Sequence, residues 1–138
     1  MQSVEVTFKE YPNVVVPTAA EICGNQFPAA LLNITKSIDS ADVVWYGSSS
    51  NPGPFTIQGK TTTTPIFTLS GNNPVYGDYT FCMIEDNLGC LDTSCVTITF
   101  KKQPTLAPID PVTVCGRVAC IEATPTVPGS VITWTIAT

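Results

Sequence analysis

The residues of this chain best suited to chemistry are its six cysteines, at positions 23, 82, 90, 95, 115 and 120. Thiolates bind zinc or iron when they come in short C-x-x-C pairs or together with histidine. This chain has no histidine, and none of its cysteines are spaced as C-x-x-C. Disulfides are the chemistry that remains, and they call for an oxidising compartment. Glu85, Asp86 and Asp92 gather around one turn, where carboxylates could take a hard cation such as calcium. They match no D-x-[DN]-x-[DN]-G loop, so an ordinary solvated turn is the expectation. Hydrolysis needs a nucleophile with a base, or two carboxylates of tuned acidity. With no such pairing apparent, no catalytic residue, cofactor or metal ligand is assigned, and the chain is not expected to be an enzyme.

These cysteines must be positioned by β-structure. Charged residues make up 12% of the sequence and hydrophobic ones 43%, and short apolar runs alternate with Gly, Pro, Asn and Ser. That pattern is typical of strands and turns, and no window of helical length carries an unbroken apolar stripe. The expected strands are Val14–Val16 with Glu21–Cys23, then Ala29–Thr35, Asp42–Tyr46, Phe55–Gln58, Pro65–Leu69, Asp78–Ile84 and Cys95–Lys101. Turn residues fall between them at Ser50–Gly53, Gly71–Pro74 and Asp86–Gly89. The fold class is therefore all-β, an immunoglobulin-like β-sandwich. Trp45 and Trp134 are expected in sandwich cores.

The sequence also repeats itself. Val4-Glu5-Val6-Thr7-Phe8-Lys9 returns as Val96-Thr97-Ile98-Thr99-Phe100-Lys101, a shift of 92 positions that also carries Pro12 onto Pro104 and Cys23-Gly24 onto Cys115-Gly116. Val43-Val44-Trp45 resembles the later Val131-Ile132-Thr133-Trp134. Tandem repeats with a period of 92 residues follow. Residues 1–9 become the last strand of a preceding repeat, 10–103 a complete immunoglobulin-like domain, and 104–138 the opening strands of the following one. Gln103–Pro111 contains three prolines and is expected to form a semi-rigid interdomain linker. Because a lone strand cannot bury a core, the partial copies need completion. Tandem covalent repeats are the simpler source, and strands donated by neighbouring subunits are the alternative.

Strand parity sorts the cysteines. Tyr79, Phe81 and Met83 share one face, as do Val96, Ile98 and Phe100, and both sets must point inward. Cys82 and Cys95 then point outward from the two arms of one hairpin, which predicts a cross-strand Cys82–Cys95 disulfide. Cys23 and Cys90, near strand ends, are expected to form a second bridge. The rival pairing is Cys23–Cys82, as an inter-sheet bond. Cys115 corresponds to Cys23, and its partner is expected beyond residue 138. Cys120 has no counterpart, since Pro28 holds its place.

Gly77-Asp78-Tyr79-Thr80-Phe81-Cys82, then Asp86-Asn87-Leu88-Gly89-Cys90 and Val96-Thr97-Ile98-Thr99-Phe100, resembles the closing hairpin of immunoglobulin-like and PKD-like repeats in large Bacteroidota surface proteins, gliding-motility adhesins among them. Cys23-Gly24 and Trp45 resemble the opening of such repeats. The pair Cys82 and Cys95, and Cys120, depart from their usual two-cysteine pattern. The resemblance implies secretion to the cell surface and a role as spacer, filament or adhesin, without naming a ligand. Asp39-Ser40-Ala41 resembles an O-glycosylation motif of that group, making Ser40 a candidate for modification. Asn33-Ile34-Thr35 is an N-glycosylation sequon, which makes Asn33 another.

A net charge of −5, from 6 basic and 11 acidic residues, disfavours nucleic acid as a partner. No apolar run is long enough for membrane insertion. The opening MQSVEVTFKE lacks the apolar region of a secretory signal, so export implies a signal outside this sequence or already removed. The expected location is extracellular, at the cell surface, with neighbouring repeats or subunits of the same protein as partners. The function expected first is that of a structural or adhesive repeat module of a surface filament or adhesin. Two alternatives stand beside it. One is a self-assembling filament or virion-decoration subunit. The other is a module binding a surface glycan or protein through the loops at Gly47–Gly53 or Gly71–Gly77, with Tyr76 as its aromatic.

Overall fold

The computed structural model describes residues 1–136, and the chain divides into two compact units, Met1–Lys101 and Lys102–Thr138. The first unit holds all the named strands: β1 (Ala19–Cys23), β2 (Gln26–Pro28), β3 (Asp42–Gly47), β4 (Phe55–Gln58), β5 (Ile66–Leu69), β6 (Gly77–Asn87) and β7 (Cys90–Lys101). They form two sheets, β1-β7-β6-β3 and β2-β5-β4. Every pairing is antiparallel except β1 with β7, which is parallel. The fold is an all-β sandwich.

The inner faces are set by alternation. Tyr79, Phe81 and Met83 on β6 and Val96, Ile98 and Phe100 on β7 are buried, while Thr80, Ile84, Thr97 and Thr99 between them are partly exposed. These two strands meet Phe27 of β2 and Phe67 and Leu69 of β5 from the opposing sheet. At the centre, Phe67 stacks on Phe81 at 4.1 Å, with Trp45 edge-on to Phe67 and Phe55 edge-on to Phe81, both at 5.3 Å. Burying each such ring contributes about 2–3 kcal/mol. Trp45 keeps its indole N–H satisfied on the Thr62 carbonyl, 3.0 Å away. Gly47 is required by this packing: a Cβ there would lie 2.1 Å from the Phe55 ring.

The β6–β7 hairpin extends further than the sequence pattern suggested, with Asn87 opposite Cys90 and only Leu88-Gly89 between. Both turn residues have positive φ, 56° and 91°, as a type I′ turn demands. The Asp86 carboxylate steadies the turn by accepting the Gly89 N–H at 2.7 Å.

Two predicted strands are corrected. Ala29–Thr35 is not a strand: β2 ends at Pro28, and Ala29–Leu32 form a 3-10 helix closed by Asn33 in the left-handed region. Two alanines and two leucines favour a helical turn over extended backbone, which explains the change. Val14–Val16 does lie along β7, but through side chains. The Val14 N–H donates to Asp92 and the Val16 N–H to Ser94, while Pro12, Val14 and Val16 alternate as buried residues. Past Pro17 the backbone ladder begins, with the Thr97 N–H donating to the Thr18 carbonyl.

Residues 1–9 pair with no strand among the described residues, and Val4, Val6 and Phe8 are exposed. Among its described residues the second unit holds a single bridge, Leu106 with Pro125, reinforced by hydrogen bonds between Thr105 and Thr126. Its Val112, Val114, Val118 and Trp134 are exposed.

Candidate functional site

The hairpin face that points away from the core carries the disulfide. Cys82 stands opposite Cys95 in register, and the two are bonded. Tyr46 of β3 is the next residue in the same row, opposite Cys82 on its other side. The inward position that an inter-sheet bond would need on β6 belongs to Phe81, so the Cys23–Cys82 pairing does not form.

Cys23 and Cys90 are also unbonded, against the expectation of a second bridge within the domain. Cys23 stands opposite Lys101, the last residue of β7, whereas Cys90 is its first. Eleven steps of about 3.3 Å put them roughly 35 Å apart, at opposite poles of the unit. The sequence showed both near strand ends; parallel pairing of β1 with β7 decides which ends. At the Cys23 pole, Lys101 donates to Glu21 at 2.7 Å, and this hydrogen bond and the carboxylate charge raise the ammonium above the usual lysine range. Cys115 and Cys120 are unbonded and exposed in the second unit.

The acidic cluster disperses. Glu85 falls on the core face of β6, in line with Tyr79, Phe81 and Met83, and is fully buried. Its carboxyl group accepts the Ser37 N–H at 3.1 Å, the Ser37 hydroxyl at 2.9 Å and the Ile38 N–H at 2.8 Å. The Ser37 hydroxyl in turn accepts the Asn13 N–H. Asp86 faces the other side and serves the hairpin turn, and Asp92 holds Val14. No three Cys, Asp or Glu side chains converge as a metal site among the described residues. In the sequence Glu85 stands beside the Asp86–Gly89 turn signal, which masks its inward place. Carrying the alternation of 79, 81 and 83 one step further would have found it.

Glu85 fixes the loop that presents Ser40. The Ala41 N–H closes a turn onto Ile38, and the Lys36 ammonium donates to the Asp39 and Ala41 carbonyls. Asp39 and Ser40 form the exposed corner of this turn. Asn33 is exposed as well, at the end of the 3-10 helix rather than in a strand. Tyr76 lies half-buried against the core and does not project from its loop. Tyr79 sends its hydroxyl to the Val75 carbonyl at 2.7 Å, and burial pushes its pKa up. No helix among the described residues is long and apolar enough to cross a membrane.

These features define a sandwich braced by one cross-strand disulfide and one buried carboxyl group, with unbonded thiols at its two poles. No family model, curated protein or solved structure matches the chain.

Proposed function

We propose that the chain is part of a tandem array of immunoglobulin-like domains and serves as a structural or adhesive module of an extracellular surface filament. The observation that carries this reading is the repeat seen against the fold. Val96, Ile98 and Phe100, core residues of β7, recur at 92 positions' distance as Val4, Val6 and Phe8, which are exposed. A segment with the core face of a last strand therefore stands directly before a complete sandwich. The strand order supports the immunoglobulin-like assignment: β2-β5-β4 opposite β7-β6-β3 corresponds to strands B, E and D opposite G, F and C. The Tyr79–Val75 hydrogen bond corresponds to the tyrosine corner of such domains. A disulfide supports an extracellular location, and the hairpin resemblance supports a surface protein of the Bacteroidota repeat type.

The test is small-angle scattering from chains of one, two and three periods. A linear module lengthens by a constant increment per period, and a compact multi-domain enzyme or binding protein does not. The exposed Val4, Val6 and Phe8 also favour a second reading, in which this strand completes a sandwich in another subunit. Polymers forming from purified monomers would select that reading.

A further inference from the structure

We propose that Cys23 of one module is bonded to Cys90 of the module that follows it, a covalent staple across each junction of the array. The inference rests on the tandem reading above and adds the partner of these two thiols. Within one module they stand at opposite poles and cannot meet.

The start of this chain carries the geometry of a junction. By the repeat, Lys9 occupies the place of Lys101, and Lys101 is the register partner of Cys23. The Cys23 of a preceding module therefore stands beside Lys9. In the structure the Lys9 ammonium donates to the carbonyl of Leu88, in the β6–β7 turn, at 2.5 Å. The next residue, Glu10, accepts the Asn87 side-chain N–H at 2.7 Å, and Asn87 is the register partner of Cys90. Two successive residues thus tie the end of a preceding module to the turn that bears Cys90. The thiol beside Lys9 and the thiol beside Asn87 are brought to one junction by contacts independent of either cysteine. Cys23 is exposed and Cys90 partly exposed, so both are open to reaction.

Bond formation is an exchange with a disulfide-bearing oxidant such as glutathione disulfide. One cysteine thiolate attacks the oxidant and forms a mixed disulfide, releasing the first thiol. The second cysteine thiolate then displaces the other. The new S–S bond forms as the oxidant's own breaks. The two electrons leave with the reduced oxidant, and the two cysteine protons are balanced by the two thiols it becomes.

The test uses a lengthened chain in which residues 10–95 are placed ahead of Val4, so that Val4–Lys9 becomes the last strand of an added module and the natural Lys9–Glu10 junction is kept. After oxidation with glutathione disulfide, alkylation and peptide mapping should recover a peptide joining Cys23 of the first module to Cys90 of the second. Cys23→Ser in the first module should restore alkylation of the second module's Cys90. Free thiols at both positions, or a bond between Cys23 and Cys90 of one module, would overturn the staple. In that case Cys82–Cys95 bonds formed in both modules would leave the tandem reading standing. Failure of the added module to fold with its own Cys82–Cys95 bond would overturn the tandem reading and the staple together.

Discussion

Residues 10–101 and 102–136 begin with corresponding sequences and end in different structures. Cys23-Gly24 matches Cys115-Gly116, and Trp45 matches Trp134. Yet Trp45 is 2% exposed and Trp134 56%. What separates them is the company each keeps. Trp45 is enclosed by Phe67 of β5 and hydrogen-bonded to Thr62, which lies 17 residues further along the chain. A strand pattern therefore specifies a face to be buried, and only distant strands bury it.

The sharpest way to break this comparison is to truncate both tryptophans. Trp45→Ala should cost about 3–5 kcal/mol in urea unfolding, and Trp134→Ala should leave the main transition unmoved. Equal losses would mean that the second unit shares the cooperative core. Glu85→Leu should cost about 3 kcal/mol, since it strips three donors of their acceptor inside the protein. Glu85→Gln, which keeps an acceptor, should cost less in the same assay. Joint replacement of Cys82 and Cys95 by alanine should lower stability by about 2–3 kcal/mol through the freed hairpin loop. Replacing Cys115 and Cys120 by serine should do nothing to the sandwich. The smallest effect is at alkaline pH. Tyr79 has a pKa raised by burial, so its contribution is complete below the usual phenol range and is lost as pH rises through the folded value. Tyr79 should ionise above the usual phenol range in an ultraviolet titration, and Tyr79→Phe should remove that step.

The parts of this fold legible in the sequence are those governed by alternation. The inward sets of β6 and β7, and with them the Cys82–Cys95 bond, follow from period two alone. Alternation failed where local chemistry overrode it, as at Ala29–Leu32, where helix-favouring residues follow Pro28. Glu85 continues the inward set of Tyr79, Phe81 and Met83, but a charged residue beside a turn signal masks that place in the sequence. The pole to which each cysteine belongs was not legible, because the parallel pairing of β1 with β7 is a long-range choice that no local spacing encodes. The side-chain clasp of Val14 and Val16 by Asp92 and Ser94 was hidden for the same reason.

The most direct measurement is amide hydrogen exchange on the natural chain and on the chain lengthened by residues 10–95 ahead of Val4. The tandem account predicts that amides of residues 4–8 exchange freely in the natural chain. In the lengthened one they should slow by about a hundredfold or more, approaching the residues of β7 they duplicate. Fast exchange in both chains, with the added residues unfolded, would show that Val4–Lys9 is not the last strand of a preceding module.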